Sequence, residues 1–139
     1  MNRLLLVHGA FHGAWCWEKL TPELDHRGVV HEAVELPFTT TESDVAEVRA
    51  AIDRLGSDSS GVTILGHSFG GAVISAAAAV DGTGYGAASS LVYLTAIVMA
   101  PGQTVDFSGA PGMAAIEFDG EVARFDPASA RSAFYHCCT

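Results

Sequence analysis

Hydrophobic positions along the chain alternate between short continuous runs and stripes at helical spacing. Arg3 to Val7 is the first run, and unbroken apolar character over one strand length predicts a strand buried on both faces, as in a parallel sheet. It gives way to a glycine-broken loop, His8-Gly9-Ala10-Phe11-His12-Gly13. Trp15, Trp17, Leu20 and Leu24 then recur near helical spacing, interrupted by Thr21-Pro22. Either a turn precedes the main helix or Pro22 opens it, and Gly28 is the stop. Val29 to Leu36 predicts a second strand, ended by Pro37. Thr41 or Ser43 caps a second helix, with Val45, Val48, Ile52 and Leu55 as its buried stripe and Gly56 as its close. Val62 to Leu65 predicts a third strand and Ala72 to Val80 an alanine-rich helix. A glycine-rich loop, Asp81 to Ala88, leads to a fourth strand over Leu91 to Val98.

Strands and helices alternating at these lengths predict an α/β fold, a parallel sheet with helices on both faces. Right-handed crossovers leave few topologies. If the chain reverses direction after the second strand, the order becomes second, first, third, fourth. Strands one and three are then neighbours at a switch point, where ligands bind at the carboxyl ends. Residues 1–100 make up this core. From Pro101 the pattern changes. Ile116 to Ala123 reads as a hairpin with an Asp-Gly turn, and Asp126-Pro127 opens a short helix through Phe134. Residues 101–139 therefore read as the beginning of a lid or cap over the site.

The chemistry concentrates at the end of strand three. Gly66-His67-Ser68-Phe69-Gly70 is a G-x-S-x-G pattern. Alone the pattern is weak; here it follows a β-branched apolar run and precedes a helix, the setting of a nucleophile elbow. So sharp a turn strains its central residue and leaves no room for side chains at Gly66 and Gly70. Ser68 would stand above the sheet edge, at the N-terminus of the next helix, whose N–H groups and dipole favour a developing oxyanion. The predicted topology brings the loop after strand one alongside, so the backbone N–H groups of Ala10 and Phe69 are expected to converge on one oxygen. A dinucleotide fingerprint is the rival, since Gly66 and Gly71 have its outer spacing. Ser68 occupies the place of its middle glycine, and Gly86 stands where an acidic residue is required. His8 reads as a structural hydrogen bonder, and Trp15 and Trp17 as packing.

Charge narrows the function further. The 139 residues carry 7 Lys plus Arg against 16 Asp plus Glu, a net charge of −9, which excludes a nucleic-acid footprint. Mean hydropathy is +0.28, yet no apolar run approaches a membrane span and the start is too short for a signal peptide. A cytoplasmic protein is the expectation. Cys16, Cys137 and Cys138 show neither a disulfide framework nor zinc spacing, and no metal or other cofactor is implied.

Leu5-Leu6-Val7-His8-Gly9-Ala10, His12-Gly13-Ala14-Trp15-Cys16-Trp17, Gly66-His67-Ser68-Phe69-Gly70-Gly71 and Leu91-Val92-Tyr93-Leu94 together resemble the α/β-hydrolase superfamily, in its methylesterase and hydroxynitrile lyase branch. The hairpin and Phe134-Tyr135-His136-Cys137 resemble the beginning of that family's cap. The resemblance implies Ser68 as nucleophile, an oxyanion hole from the Ala10 and Phe69 amides, and a small carboxylic ester as substrate, cleaved through an acyl-enzyme. Lyases of this branch usually carry threonine after the strand-one histidine; Gly9 stands there, as in esterases. Family members continue past the cap to supply the catalytic Asp and His, whereas this chain stops at Thr139. Only His136 follows Ser68, and Asp106 is the candidate acid. The expectation is therefore a hydrolase front half with no base, inactive as it stands, since serine needs an adjacent base. Two further readings follow: a non-catalytic hydrolase fold that binds a ligand or partner, and a hydroxynitrile lyase. An open edge at the fourth strand would invite self-association.

Overall fold

The computed structural model describes residues 3–58, 61–79, 85–100, 103, 115–119 and 122–135. It divides into two compact units, Met1–Gln103 and Thr104–Thr139.

The first unit is a four-stranded parallel sheet. Its strands are β1 (Arg3–Val7), β2 (Val30–Val34), β3 (Val62–His67) and β4 (Ala88–Leu94), in the order β2-β1-β3-β4. Val7 lies opposite both Val34 and Gly66, so β1 and β3 end level with each other at their carboxyl ends. This is the expected order, and it creates the switch point between β1 and β3.

Three helices serve this sheet: α1 (Thr21–His26), α2 (Thr41–Leu55) and α3 (Phe69–Ala78). The core consists of Leu5, Val7, Val34 and Leu36, Val62 and Ile64 of β3, and the apolar stripes of α2 and α3. Val48, Ile52 and Leu55 are buried and Val45 packs at the margin, the spacing of one helix face. Arg49 reaches from α2 to the C-terminal end of α3. It donates to the carbonyls of Ala77 at 3.1 Å and Ala79 at 3.2 Å, where carbonyls lack helical partners and the dipole is negative.

The first helical stretch follows the sequence reading: a 3-10 turn at Ala14–Trp17 precedes the six-residue α1, which Pro22 helps to open. Other local details depart from it. The α2 cap is Thr40, rather than the expected Thr41 or Ser43. Its Oγ1 accepts the Ser43 amide at 3.1 Å, and the Ser43 Oγ accepts the Thr40 amide at 3.1 Å, a reciprocal box. α3 begins at Phe69 rather than Ala72, through two glycines of low helix propensity. β4 covers Ala88–Leu94 rather than Leu91 to Val98, because Thr95 turns into a left-handed conformation with φ +45°.

The second unit holds an antiparallel hairpin, β5 (Ile116–Asp119) and β6 (Val122–Phe125), followed by a 3-10 turn at Pro127–Ser129 and α4 (Ala130–Phe134). Asp126 caps it: its Oδ1 accepts the Ala128 amide at 3.0 Å and its Oδ2 the Ser129 hydroxyl at 2.8 Å. The Phe125 and Phe134 rings pack at 4.6 Å. Asp106 and the stretch from His136 to Thr139 lie outside the described residues. No helix among the described residues is long and apolar enough to cross a membrane.

Candidate active site

Ser68 links β3 to α3 and takes φ +52°, ψ −120°, a backbone conformation L-residues rarely adopt. Its surroundings hold it there. The Ser68 carbonyl accepts the amides of Gly71 and Ile97, both at 3.0 Å, and its own amide reaches Leu94 O at 3.4 Å. β3, α3 and the end of β4 thus all tie to this one residue.

Glycines make that approach possible. A Cβ at Gly66 would stand 2.7 Å from the Gly70 carbonyl oxygen, and one at Gly70 would stand 2.6 Å from that of His8. At Gly71 it would stand 2.5 Å from Ile97 O. These obstacles are backbone atoms, which cannot swing aside. Gly9 bears directly on the serine: a Cβ there would stand 2.9 Å from the Cβ of Ser68. The loop after β1 therefore lies against the elbow, as the topology requires.

Phe69 is the first residue of α3, and Ala10 belongs to the loop after β1. Among the described residues neither amide has a backbone acceptor. An amide at a helix start and one in an adjoining loop, both unspent, are what an anionic oxygen would need.

The histidines around the elbow are each engaged. His8 is wholly buried; its Nε2 accepts the Leu36 amide at 3.1 Å and its Nδ1 lies 2.9 Å from Gly9 O. The His12 Nδ1 lies 3.0 Å from Ala10 O, and its ring stacks on exposed Trp15 at 5.4 Å. His67 sits between the edges of His12 and Trp17, at 6.2 and 6.4 Å. Burial holds its pKa below the ordinary histidine value, and the neighbouring His12 adds to the effect.

Two acidic residues in the surroundings escaped the sequence reading. Asp44, in the first turn of α2, is buried, and its Oδ1 accepts the Phe38 amide at 2.9 Å. Burial raises its pKa, against the opposing pull of that hydrogen bond. Phe38 is held at φ +51°, its ring 6.0 Å from Phe69 and 5.5 Å from His8. An acidic residue in a first helical turn normally reads as a solvated dipole partner, so no sequence signal marked Asp44 as buried. Glu35 accepts the Ala14 amide at 2.7 Å and fixes the start of the 3-10 turn. Among the described residues no cluster of His, Cys, Asp and Glu could hold a metal ion.

Known proteins resemble this chain in sequence and fold. Methylesterase 9 of Arabidopsis thaliana is 35% identical over 94 residues, covering 58% of this chain and 35% of that protein. The alpha-hydroxynitrile lyase of the same plant is 37% identical over 87 residues, 55% of this chain and 34% of the lyase. A solved pyrethroid hydrolase from Sphingobium faniae JZ-2 superposes with a TM-score of 0.76 at 25% identity, over 97% of this chain and 61% of that one. The chain thus spans about a third of the length of these curated relatives. The pattern that describes the alpha/beta hydrolase family matches residues 4–136. With that match running nearly end to end, over a sheet order and a serine turn that agree with it, the chain belongs to the alpha/beta hydrolase family, in its methylesterase-like branch.

Proposed function

We propose that Ser68 is the nucleophile of a serine hydrolase that cleaves small carboxylic esters through an acyl-enzyme. One observation carries the reading: a non-glycine residue held at φ +52°, ψ −120° between a strand and a helix, by neighbours whose missing side chains make the turn possible. The methylesterase relatives support the ester as substrate class.

In this reading the Ser68 Oγ attacks the ester carbonyl carbon. The amides of Ala10 and Phe69 hold the resulting oxyanion, each contributing about 2.7–4 kcal/mol of transition-state stabilisation. The serine proton passes to a histidine supplied from outside the described residues, since His8 is committed through both ring nitrogens. That histidine returns the proton to the departing alkoxide, and water then releases the acid from Ser68. Without such a base the Ser68 hydroxyl would be a poor nucleophile. The partner is a small-molecule ester; neither nucleic acid nor a membrane enters the reaction.

A fluorophosphonate probe tests the assignment in a protein of the relatives' full length. Labelling is expected at Ser68 and lost in Ser68→Ala. A protein that hydrolyses p-nitrophenyl acetate while Ser68 stays unlabelled would overturn it. Cyanohydrin cleavage is the second reading, favoured by the lyase relative. Gly9 opposes it, because a threonine Cβ there would press on that of Ser68 at 2.9 Å. Cyanide release from a cyanohydrin would decide for the lyase.

A further inference from the structure

His8 is wholly buried, and both of its ring nitrogens meet backbone. The Leu36 amide donates to Nε2 at 3.1 Å. A nitrogen that accepts carries no proton, so the single hydrogen of the ring is on Nδ1, which donates to Gly9 O at 2.9 Å. The Glu35 carboxylate lies 3.9 Å from Nε2 and receives no hydrogen from it. The His12 amide reaches the same Gly9 oxygen at 3.3 Å. Gly9 O is thus held from two sides.

A trans peptide is planar, with its C=O and N–H pointing in opposite directions. The carbonyl of Gly9 and the N–H of Ala10 are the two ends of one such plane. Anchoring the oxygen therefore aims the hydrogen. The flanking glycine would otherwise let this plane rotate more freely than any other residue would.

We propose that His8 is a positioning residue, whose neutral, Nδ1-protonated imidazole clamps the Gly9–Ala10 peptide and so aims the Ala10 N–H at the reacting oxygen. The inference rests on Ser68 as nucleophile and on Ala10 as an oxyanion donor. Its second ring nitrogen couples the clamp to the end of β2 through Leu36, 28 residues away in sequence. The loop after β1 and the segment after β2 are thereby linked at one point.

Two substitutions separate the ring's two bonds. In His8→Asn the amide nitrogen can replace Nδ1 and keep the Gly9 bond, while the Leu36 bond is lost. In His8→Gln the longer side chain can replace Nε2 and keep Leu36, while the Gly9 bond is lost. In the full-length protein with p-nitrophenyl acetate, His8→Gln is expected to lose about 10- to 100-fold in kcat with KM little changed, part of the loss from deleting an oxyanion donor. His8→Asn should keep most of the activity. The 15N order parameter of Ala10 should fall from about 0.85 toward 0.6 in His8→Gln only. Equal losses in both variants, the reverse order, or a loss carried by KM would overturn the clamp. Ser68→Ala runs beside them. If it retains full turnover, the nucleophile reading falls, and an Ala10 amide that stays rigid in His8→Gln then overturns the clamp separately. If His8→Gln does not fold, the imidazole 15N spectrum of the unaltered protein decides: a proton on Nε2 overturns the proposal.

Discussion

The two ends of the β3 neighbourhood use similar apolar sequence in opposite ways. On one side, a seam, the end of β1 meets the turn between β3 and α3 so closely that Gly70 has no room for a methyl group, with the carbonyl oxygens of His8 and Val7 at 2.6 and 2.7 Å from an added Cβ. On the other, β4 pairs with β3 alone among the described residues, and Val92 and Leu94 stand 42% and 46% exposed. Alternate residues Leu91 and Tyr93 pack against the core. At the seam, apolar character means burial and backbone contact. At the flank, the same β-forming residues only half achieve burial. The chemistry lies where packing is tightest, because only over-determined backbone can hold a residue in the conformation of Ser68.

Breaking the seam should have the largest effect. Gly70→Val places a branched side chain 2.6 Å from His8 O and 2.7 Å from Val7 O. Neither backbone oxygen can yield without distorting β1, so a loss of about 3 kcal/mol or more is expected. Gly28 is the control. It has φ +66° but nothing within 4 Å of an added Cβ, so Gly28→Ala should cost only its backbone strain, about 1–2 kcal/mol. Urea midpoints compare the two; equal losses would mean that conformational strain, not close approach, governs the seam.

Next in size is the Asp44 anchor. Asp44→Ala leaves the half-buried Phe38 amide without its acceptor, at a cost of about 1 kcal/mol. Asp44→Asn keeps an acceptor oxygen and should cost less. The two titrating groups near the seam also act in opposite directions. Burial raises the pKa of Asp44, so just above the ordinary carboxylate range the native state binds more protons than the unfolded chain. Stability from this group is present at acid pH and lost as pH rises through the native pKa. His67 is depressed by burial, so below pH about 6.5 the unfolded chain binds more protons, and stability falls as the solution is acidified. Asp44→Asn should therefore remove an acid-side gain and His67→Gln an acid-side loss, read as opposite changes in the slope of stability against pH. Slopes of the same sign would refute the assignment.

Ser68→Gly is expected to raise stability by about 1 kcal/mol, since glycine relieves the strain at φ +52° and recovers more than its own entropic cost. A destabilised variant would mean that the serine side chain, rather than its backbone, is the native requirement.

Most of this frame was legible in the sequence. β1 and the α2 stripe follow from hydrophobic spacing, and the strand order follows from a single reversal after β2. What escaped has a common physical cause. His8 was legible as a structural hydrogen bonder but its partner Leu36, 28 positions away, was not, and Asp44 is buried by tertiary packing that no local pattern announces. The early start of α3 was hidden because Gly70 and Gly71 read as poor helix formers, whereas the close approach of β1 and of Ile97 demands them. The cap at Thr40 depended on which of several adjacent hydroxyls faces the helix, a choice that Ser43 settles by bonding back.

The smallest stability change is expected at the flank. Val92 and Leu94 lie two residues apart on one face of β4, and Val98 beyond the strand is 66% exposed. An apolar edge strand of this kind offers its unpaired backbone and side chains to another strand, and we expect the 139-residue chain to self-associate through it at high concentration. Val92→Lys combined with Leu94→Lys should change the urea midpoint by less than about 0.5 kcal/mol per site, because half-exposed positions contribute little. The same pair should shift sedimentation from a concentration-dependent average to a monomer, since charge on an edge strand opposes pairing. Sedimentation velocity across a hundredfold range of concentration reads the difference. A chain that is already monomeric throughout would show that the flank is closed, and the contrast between seam and flank would then be one of shape rather than of burial.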